Sequence, residues 1–407
     1  MSDRPVTPKE RLLRALSGQP TAGTPAVPAY LCLFLADFER AFYIEQYRRR
    51  MKGCALYRID HDEDTLFRAQ ALYESYGILK VRPDWIEVGQ GASRSWAERT
   101  QIVADGGVLF YEDRSTGERA PMHEVDLPWG DAQLPSLSRS QADIWDGSAQ
   151  IQDVSDVDAR VPVVPADELS ARGDYDLPRQ VVADYGDTYY ISTILDTPFS
   201  QAYNLLGFQG LMLAQHDRPA LLHHLLQRQL EQMQEEMGAW AATGIDGVYV
   251  EEVFTGADLI SPRAYDRFVF AYNQPYFQRM RSLGLLSIHY VCGDVIPRLE
   301  RIVELDIAAV AVEESKKNFQ IEIEEVVDRV AGRKAIFGNV DAVRYGLHAT
   351  MEEMAAETRR QIEVGARAQG FVVSTGSPFP LDTNPRLIDT MVATAHALPA
   401  QGAPHRA

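Results

Sequence analysis

Cysteine is scarce in this sequence. Cys32, Cys54 and Cys292 are the three in 407 residues, and they form no Cys-x-x-Cys pair. A disulfide-stabilised fold requires an even and denser set, so we expect a reducing compartment. Apolar runs approaching the ~18 residues of a membrane span are also absent, and residues 1–10 contain no apolar secretory segment. We therefore predict a cytoplasmic protein that does not associate with membranes.

Positive charge is also in short supply. The chain has 40 lysines and arginines against 58 aspartates and glutamates, which gives a net charge of −18. Such a surface repels phosphate backbones and anionic lipids, so we expect no binding to nucleic acid or to membrane surfaces. A local basic pocket remains compatible with this balance.

The common phosphate-binding and hydrolase motifs are missing. Neither GxGxxG nor GxxxxGK[ST] occurs, and GxSxG and HExxH are absent too. These absences count against nucleotide-driven, dinucleotide-dependent and esterase chemistry.

What the chain does contain is a regular alternation of short apolar runs and helical segments. The runs of the second half are Tyr190–Ile194, Gly247–Val250, Leu286–Val291, Ala308–Val312, Ala335–Phe337 and Phe371–Val373. An extended apolar stretch at 24–35 and a weaker run at Trp85–Val88 bring the number to eight. Strands that alternate with helices pair in parallel and carry the helices outside. The sequence therefore predicts an α/β fold, a (β/α)₈ TIM-type barrel.

The alternation fails between about 98 and 188. Gln101–Val103 and Val108–Tyr111 flank an Asp-Gly-Gly turn, which predicts a β-hairpin. We interpret 98–188 as an insertion in a single barrel domain spanning 1–395. The last residues, 396–407, are expected to form a disordered tail.

In a parallel barrel the active site lies at the carboxyl ends of the strands, so the residues that follow each run are site candidates. Polar and mostly acidic side chains occur at nearly all of these ends. They are Asp196, Glu251, Glu252, Cys292, Asp294, Glu313, Glu314, Asn339, Asp341, Ser374 and Ser377. Strand ends also begin loops and helix caps, where such residues are common for structural reasons.

Glu251 and Glu252 are the most informative pair among these candidates, because adjacent strand residues point to different faces of the sheet. A carboxylate in the mouth of a barrel can act as a general base, hold a metal or pair with a cation. His289 and Cys292 suggest half of a metal site. Strand alternation places these two on opposite faces, so both reach one ion only if the strand ends or bulges near Val291.

Taken in order, several segments resemble the uroporphyrinogen decarboxylase superfamily, whose fold is a TIM-type barrel. The resemblance rests on Glu10–Pro20, Gly244–Glu252, Leu259–Pro262, Pro275-Tyr276, His289–Asp294, Gly338–Asp341 and Thr375–Thr383. True decarboxylases of the family use no cofactor and carry an Arg-Gln-Ala-Gly-Arg segment near the N-terminus. Here residues 28–45 contain no such segment and only one arginine, Arg40. The resemblance therefore favours the other branch, methyltransferases that work with corrinoid proteins, coenzyme M or folate.

Members of that branch hold zinc through His-x-Cys-Gly and a later Gly-Cys. Here Cys292-Gly293 matches, but the histidine position falls on Tyr290 and the later cysteine on Ser377. The resemblance thus implies an altered zinc site. Its expected ligands are His289, Cys292 and either Glu251 or Glu252, with Glu252 taken as the third ligand.

The predicted function is a methyltransferase or demethylase that moves a methyl group from a small methylated substrate to a corrinoid, folate or thiol acceptor. Zinc is the expected cofactor, cobalamin or tetrahydrofolate the expected acceptor, and a corrinoid protein and a homodimer are expected on family grounds. The predicted catalytic residues are Glu251, Glu252, Tyr290 and Asp341, and the predicted substrate-binding residues are Asp196, Asn339, Ser377 and Glu313. The alternatives are a cofactor-independent decarboxylase and a degenerate barrel that binds a ligand without turnover.

Overall fold

The structure, a computed structural model, describes residues 5–122 and 151–399. Its strands, in chain order, are β1 Leu56–Arg58, β2 Trp85–Glu87, β3 Thr100–Asp105, β4 Val108–Asp113, β5 Arg119–Pro121, β6 Tyr190–Asp196, β7 Gly247–Glu252, β8 Leu286–Val291, β9 Ala309–Val312, β10 Ala335–Val340 and β11 Phe371–Thr375.

Helices follow most of the barrel strands. In chain order they are α1 Pro8–Leu16, α2 Leu31–Arg50, α3 His61–Ser75, α4 Arg94–Arg99, α5 Val154–Arg160, α6 Ala166–Ala171, α7 Asp176–Tyr185, α8 Pro198–Asp217, α9 Pro219–Ala241, α10 Pro262–Tyr265, α11 Ala271–Ser282, α12 Leu299–Ile302, α13 Ile323–Val330, α14 Met351–Gly365 and α15 Pro385–Ala397. A π-helical turn, Asp266–Phe270, joins α10 to α11, and a second, Arg344–His348, precedes α14.

Seven strands form one parallel sheet in the order β11-β10-β9-β8-β7-β6-β2. The segment around Ala26 closes the ring between the two edges. Ala26 forms a parallel bridge with Val373 of β11, and its carbonyl accepts the backbone N–H of Asp84 just before β2. The (β/α)₈ barrel predicted from the sequence is therefore confirmed, with a very short first strand.

The extended segment predicted over 24–35 is wrong beyond the Ala26 bridge, because the chain turns into α2 at Leu31. Leu31, Phe34 and Leu35 recur at helical spacing and are buried together against the barrel. A short apolar run fits a strand or a buried helix equally well, and here the helical period decides.

Two N-terminal capping boxes mark helix starts as their sequences indicate. Thr7 accepts the backbone N–H of Glu10 at the start of α1, and Thr350 accepts that of Glu353 before α14. In turn, the carboxylate of each glutamate accepts the backbone N–H of the threonine.

The predicted hairpin is confirmed: β3 and β4 pair antiparallel, with Ile102 opposite Tyr111 and Val103 opposite Phe110. With β1 and β5 they form a separate four-stranded sheet. The later part of the inserted region contains α5, α6 and α7, which no helical pattern in the sequence indicated. Residues 123–150 and 400–407 lie outside the described residues, as does most of the expected tail, and the boundaries of the single domain remain a prediction.

The apolar core of the barrel has two layers separated by the barrel wall, and a third, smaller cluster packs α2 and α3 against the β3–β4 hairpin. Trp85, Tyr190, Tyr249, Tyr290 and Phe337 fill the interior of the barrel. A much larger cluster lies between the strands and the surrounding helices. Within residues 5–122 and 151–399, no helix is long and apolar enough to span a bilayer.

Candidate active site

Strand β7 sends its last two side chains to opposite faces. Tyr249 belongs to the inner cluster and Val250 to the outer one. Because side chains alternate along a strand, Glu251 faces the barrel interior and Glu252 faces the surrounding helices. The two neighbours therefore lie in different environments.

Glu251 lies in the barrel mouth beside Cys292, whose Sγ is 3.9 Å from Glu251 Oε1. Burial raises the pKa of the Glu251 carboxyl; the Tyr30 hydroxyl partly offsets this, and Glu313 raises the pKa further. The raised pKa favours the protonated carboxyl, which can donate its proton to a molecule in the mouth. Burial, followed by Glu251, raises the pKa of the Cys292 thiol as well, so Cys292 stays protonated.

Tyr30 covers this part of the interior. It adopts a left-handed backbone conformation, with φ 51° and ψ 39°, immediately before α2. Its ring centroid is 5.5 Å from that of Tyr249 and 5.7 Å from that of Tyr290. A non-glycine residue in this conformation costs on the order of 1 kcal/mol or more and is retained only where the surroundings enforce it.

Two further acids in the mouth, Asp196 and Glu87, and a third on α2, Glu39, also have raised pKa values. Burial, and then Glu251, raise the pKa of Asp196 to about 7. Burial raises the pKa of Glu87, on β2, to about 7, although the backbone N–H of Cys32 donates to its carboxyl. Glu39, on α2, has its pKa raised to about 7 by burial in spite of the Arg68 guanidinium. At neutral pH these three carboxyls are therefore each partly protonated and partly ionised.

Glu313 is fixed by the loop that follows β8. The backbone N–H of Gly293 donates to Glu313 Oε2 at 2.8 Å, and Gly293 has φ 89°, a conformation that favours glycine. Burial raises the pKa of Glu313, an effect that this bond and Lys316 reduce.

Glu314, Lys316 and Ser377 form a hydrogen-bonded group beside it. The Lys316 ammonium donates to Glu314 and, at 2.9 Å, to Ser377 Oγ, and this hydroxyl lies 2.9 Å from both Glu314 oxygens. Tyr290 Oη donates to the carbonyl of Gly376 at 2.6 Å. Ser377 and the Tyr290 hydroxyl thus already have protein partners.

Three other predicted site residues are hydrogen-bonded to neighbouring groups of the protein. The Asn339 amide donates to the carbonyls of Glu313 and Ile321 at 2.9 and 3.0 Å. Asp341 accepts the backbone N–H of Arg344 at 2.8 Å. Asp196 accepts from the Gln201 amide at 2.7 Å.

The outer face of the same strand ends contains a fully buried polar cluster. His289 Nε2 lies 3.2 Å from Glu252 Oε2, and both side chains have 0% exposure. Thr255 donates to Glu252 Oε1 at 2.7 Å, and the Asn273 amide donates to Oε2. Burial alone would raise the pKa of Glu252, but His289 and these hydrogen bonds outweigh it and lower the pKa.

The expected zinc ligands are not brought together. Glu252 and His289 lie outside the barrel wall, whereas Cys292 lies inside it beside Glu251. In the part of the chain that the structure describes, no three His, Cys, Asp or Glu side chains are placed to hold a metal ion. The residues present therefore do not fit the zinc site that the resemblance implied, because strand alternation separates them.

Glu87, Tyr30 and Lys316 also line the site, although no sequence pattern used above indicated them. Glu87 ends the weakest strand, whose end was not considered among the site candidates. Tyr30 was assigned to an extended segment, and Lys316 lies in a loop with no distinguishing motif. The alternation Trp85–Glu87 was a usable signal, since a carboxylate two residues after an inward tryptophan faces the mouth.

The uroporphyrinogen decarboxylase (URO-D) family model matches residues 149–398, more than half of the chain. The chain belongs to this family. The resemblance noted in the sequence is thereby confirmed, and the strand-end acids of the barrel mouth belong to a URO-D family member.

Curated relatives of this URO-D family chain include both chemistries. Uroporphyrinogen decarboxylase of Methylococcus capsulatus is 25% identical over 192 residues, 46% of this chain and 52% of the relative. Methylcobamide:CoM methyltransferase MtbA of Methanosarcina acetivorans is 22% identical over 184 residues, 44% and 51% respectively. The chain matches about half the length of these curated relatives.

Among solved structures, a methyltransferase from Methanosarcina mazei aligns with a TM-score of 0.63 at 17% identity, covering 96% of this chain and 98% of that one. At this identity the likeness supports the barrel fold.

Proposed function

We propose that this chain is a methyltransferase or demethylase that moves a methyl group from a small methylated substrate to a corrinoid, folate or thiol acceptor. The observation that carries the proposal is the Glu251 carboxyl, which faces the barrel mouth with a raised pKa between Tyr30, Cys292 and Glu313.

A carboxyl whose raised pKa favours the protonated form suits demethylation. The bond from the methyl carbon to its oxygen, nitrogen or sulfur breaks, the electron pair stays on that heteroatom, and the acceptor bonds the methyl carbon with its own pair. The departing heteroatom takes the proton of Glu251, which regains one from solvent. General acid catalysis of this kind contributes roughly 10²- to 10⁴-fold.

The relatives support a methyl-transfer role. One curated relative is named for transfer involving a methylcobamide and coenzyme M, and the structural neighbour that covers nearly the whole chain is called a methyltransferase. A corrinoid protein or a thiol is accordingly the acceptor that we favour. Since the zinc ligands do not come together, the proposal assigns no step to a metal.

Decarboxylation is the second candidate, because a protonated Glu251 would equally protonate the carbon that loses CO₂, and two curated relatives are named uroporphyrinogen decarboxylase. The charges at the mouth weigh against a polycarboxylate substrate. Lys316 is already bonded to Glu314 and Ser377, and the surrounding carboxyls would repel further carboxylates once ionised.

The test is methyl transfer by the purified full-length chain. A panel of isotopically methyl-labelled O-, N- and S-methyl compounds is supplied with reduced cobalamin, tetrahydrofolate or coenzyme M in separate reactions. Label in the acceptor that depends on Glu251 supports the proposal. Turnover of uroporphyrinogen with no label transfer would replace it with the decarboxylase, and saturable ligand binding without either reaction would favour a non-catalytic barrel.

A further inference from the structure

A second recess lies at the other end of the barrel. It has a volume of about 620 Å³ and is lined by Pro8, Arg11, Gly77, Leu79, Lys80, Val81, Arg82, Tyr189 and His396. Residues 79–82 precede β2 and Tyr189 precedes β6, so this recess lies at the amino ends of the strands. It is therefore separate from the mouth that contains Glu251.

The recess concentrates positive charge in a chain whose net charge is −18. Asp84 is wholly buried beneath it and has its oxygens occupied by Arg11, by His396 at 2.8 Å and by the backbone N–H of Ala26 at 2.7 Å. In the ion pairs of the described residues, Lys80 and Arg82 have no acidic partner. The recess thus has cations that its own carboxylate does not neutralise.

The nearby Asp389 carboxylate forms no ion pair with Lys80 or Arg82 in the structure. Its Oδ1 accepts the backbone N–H of Val81 at 3.0 Å, which holds the loop against α15. This hydrogen bond holds the backbone at Val81 in place. Lys80 and Arg82, the residues on either side of Val81, therefore extend from an anchored part of the loop.

Arg82 is held in place by aromatic rings. Its guanidinium lies 3.9 Å from the ring centroid of Tyr73, and that ring stacks on Tyr185 at 4.0 Å between centroids and 7° between planes. A guanidinium stacked on a ring directs its N–H donors away from that ring. One donor of Arg82 is bonded to the Tyr189 hydroxyl, and the rest of the planar fork keeps the geometry that binds oxyanions.

We propose that this recess is a binding site for a small phosphorylated anion, held by Arg82 and Lys80 with Arg11 and His396 at its floor. The volume lies in the range of pockets for small organic ligands. Arginine forks and lysine ammonium groups are the usual partners of phosphoryl oxygens. Such an anion would link α1, the loop of residues 79–82 and α15 at the end of the barrel where residues serve stability rather than chemistry.

Pyrophosphate is the probe for the test. It is titrated into the full chain by calorimetry at constant ionic strength, and thermal unfolding is followed at the same concentrations, since a ligand that binds only the folded state raises Tm. The variants are Arg82→Gln, Lys80→Gln and the double variant. Lys52→Gln, which removes an exposed lysine elsewhere, is the matched control.

We expect saturable binding that weakens at least tenfold in the double variant, with a loss of the Tm increase, and no change in Lys52→Gln. Each single variant should retain part of the binding. The absence of saturable binding to the wild-type chain, or equal binding by the double variant, would overturn the site. Succinate forms the second arm, and binding of succinate as tight as that of pyrophosphate would overturn the assignment to phosphoryl groups.

Discussion

Glu251 and Glu252 are neighbours in the chain, yet the barrel wall gives them opposite properties. Inside the wall, Glu251 has a raised pKa and lies beside a neutral thiol. Outside it, Glu252 has a lowered pKa, because His289, Thr255 and Asn273 satisfy its charge. The inner acid is poorly satisfied and suited to proton transfer, whereas the outer acid is fully satisfied and suited to holding two strands together.

Glu251→Gln keeps the shape of the side chain and removes its acidic proton, so it separates the roles of the two glutamates most sharply. We expect methyl transfer to fall by roughly 10²- to 10⁴-fold, as for loss of a general acid. Stability should stay the same or rise at neutral pH, since burial disfavours the charged form of this acid. Glu313→Gln is the control, and an equal loss of rate in that variant would remove Glu251 from its role as the specific donor.

On the outer face, Glu252→Leu should lower the free energy of unfolding by about 3–5 kcal/mol, because His289 and Asn273 lose their buried partner. Urea unfolding monitored by circular dichroism measures the change. The double variant Glu252→Leu/His289→Leu should recover much of the loss, since an apolar pair leaves little unsatisfied. A single variant as stable as the wild type would show that the outer cluster does not stabilise the strands.

The inner acids should also give stability an unusual dependence on pH. The pKa of Glu87 is raised from 4.5 to about 7, so the folded state binds more protons than the unfolded state between these values. Stability from this group is present below about pH 4.5 and is lost as the pH rises towards 7, by about 3 kcal/mol.

Glu87→Gln should reduce the loss of unfolding free energy between pH 5 and pH 8, which urea unfolding at the two pH values measures. Glu74→Gln, at an exposed position on α3, should leave it unchanged. A decline that is identical in Glu87→Gln and the wild-type chain would contradict the raised pKa.

The smallest effect is expected for Tyr290→Phe. The hydroxyl donates to the Gly376 carbonyl, so its loss should cost about 1 kcal/mol of stability and alter the rate far less than Glu251→Gln. Parallel measurement of unfolding and methyl transfer separates the two roles. A rate loss as large as that of Glu251→Gln would restore Tyr290 as a proton donor.

The barrel could be predicted because each of its strands is visible in the local sequence as a short apolar run between helical segments. The start of the chain was harder, since Leu31, Phe34 and Leu35 fit a strand as well as a helix until the neighbouring packing is known. The alternation along β8 already argued against joining His289 to Cys292, and the structure keeps them on separate faces.

Other parts of the site depend on contacts between distant segments. Ser377 contacts Lys316 and Glu314 from more than sixty residues away, and no local spacing indicates that meeting. The same holds for Tyr30, whose place over Tyr249 follows from the turn into α2. Sequence could therefore suggest which strand ends matter but not which side chains would already have partners.

The bridge at Ala26 makes one seam of the barrel much shorter than the rest. Only a few bonds of the 25–27 segment, to Val373 on one side and Asp84 on the other, close the ring there. In hydrogen-exchange terms, the amides of Val27 and Val373 should therefore exchange through a partial opening well before those of β7 and β8. Because Tyr30 follows this segment directly, opening of the seam would also disturb the packing of Tyr30 against Tyr249 and Tyr290.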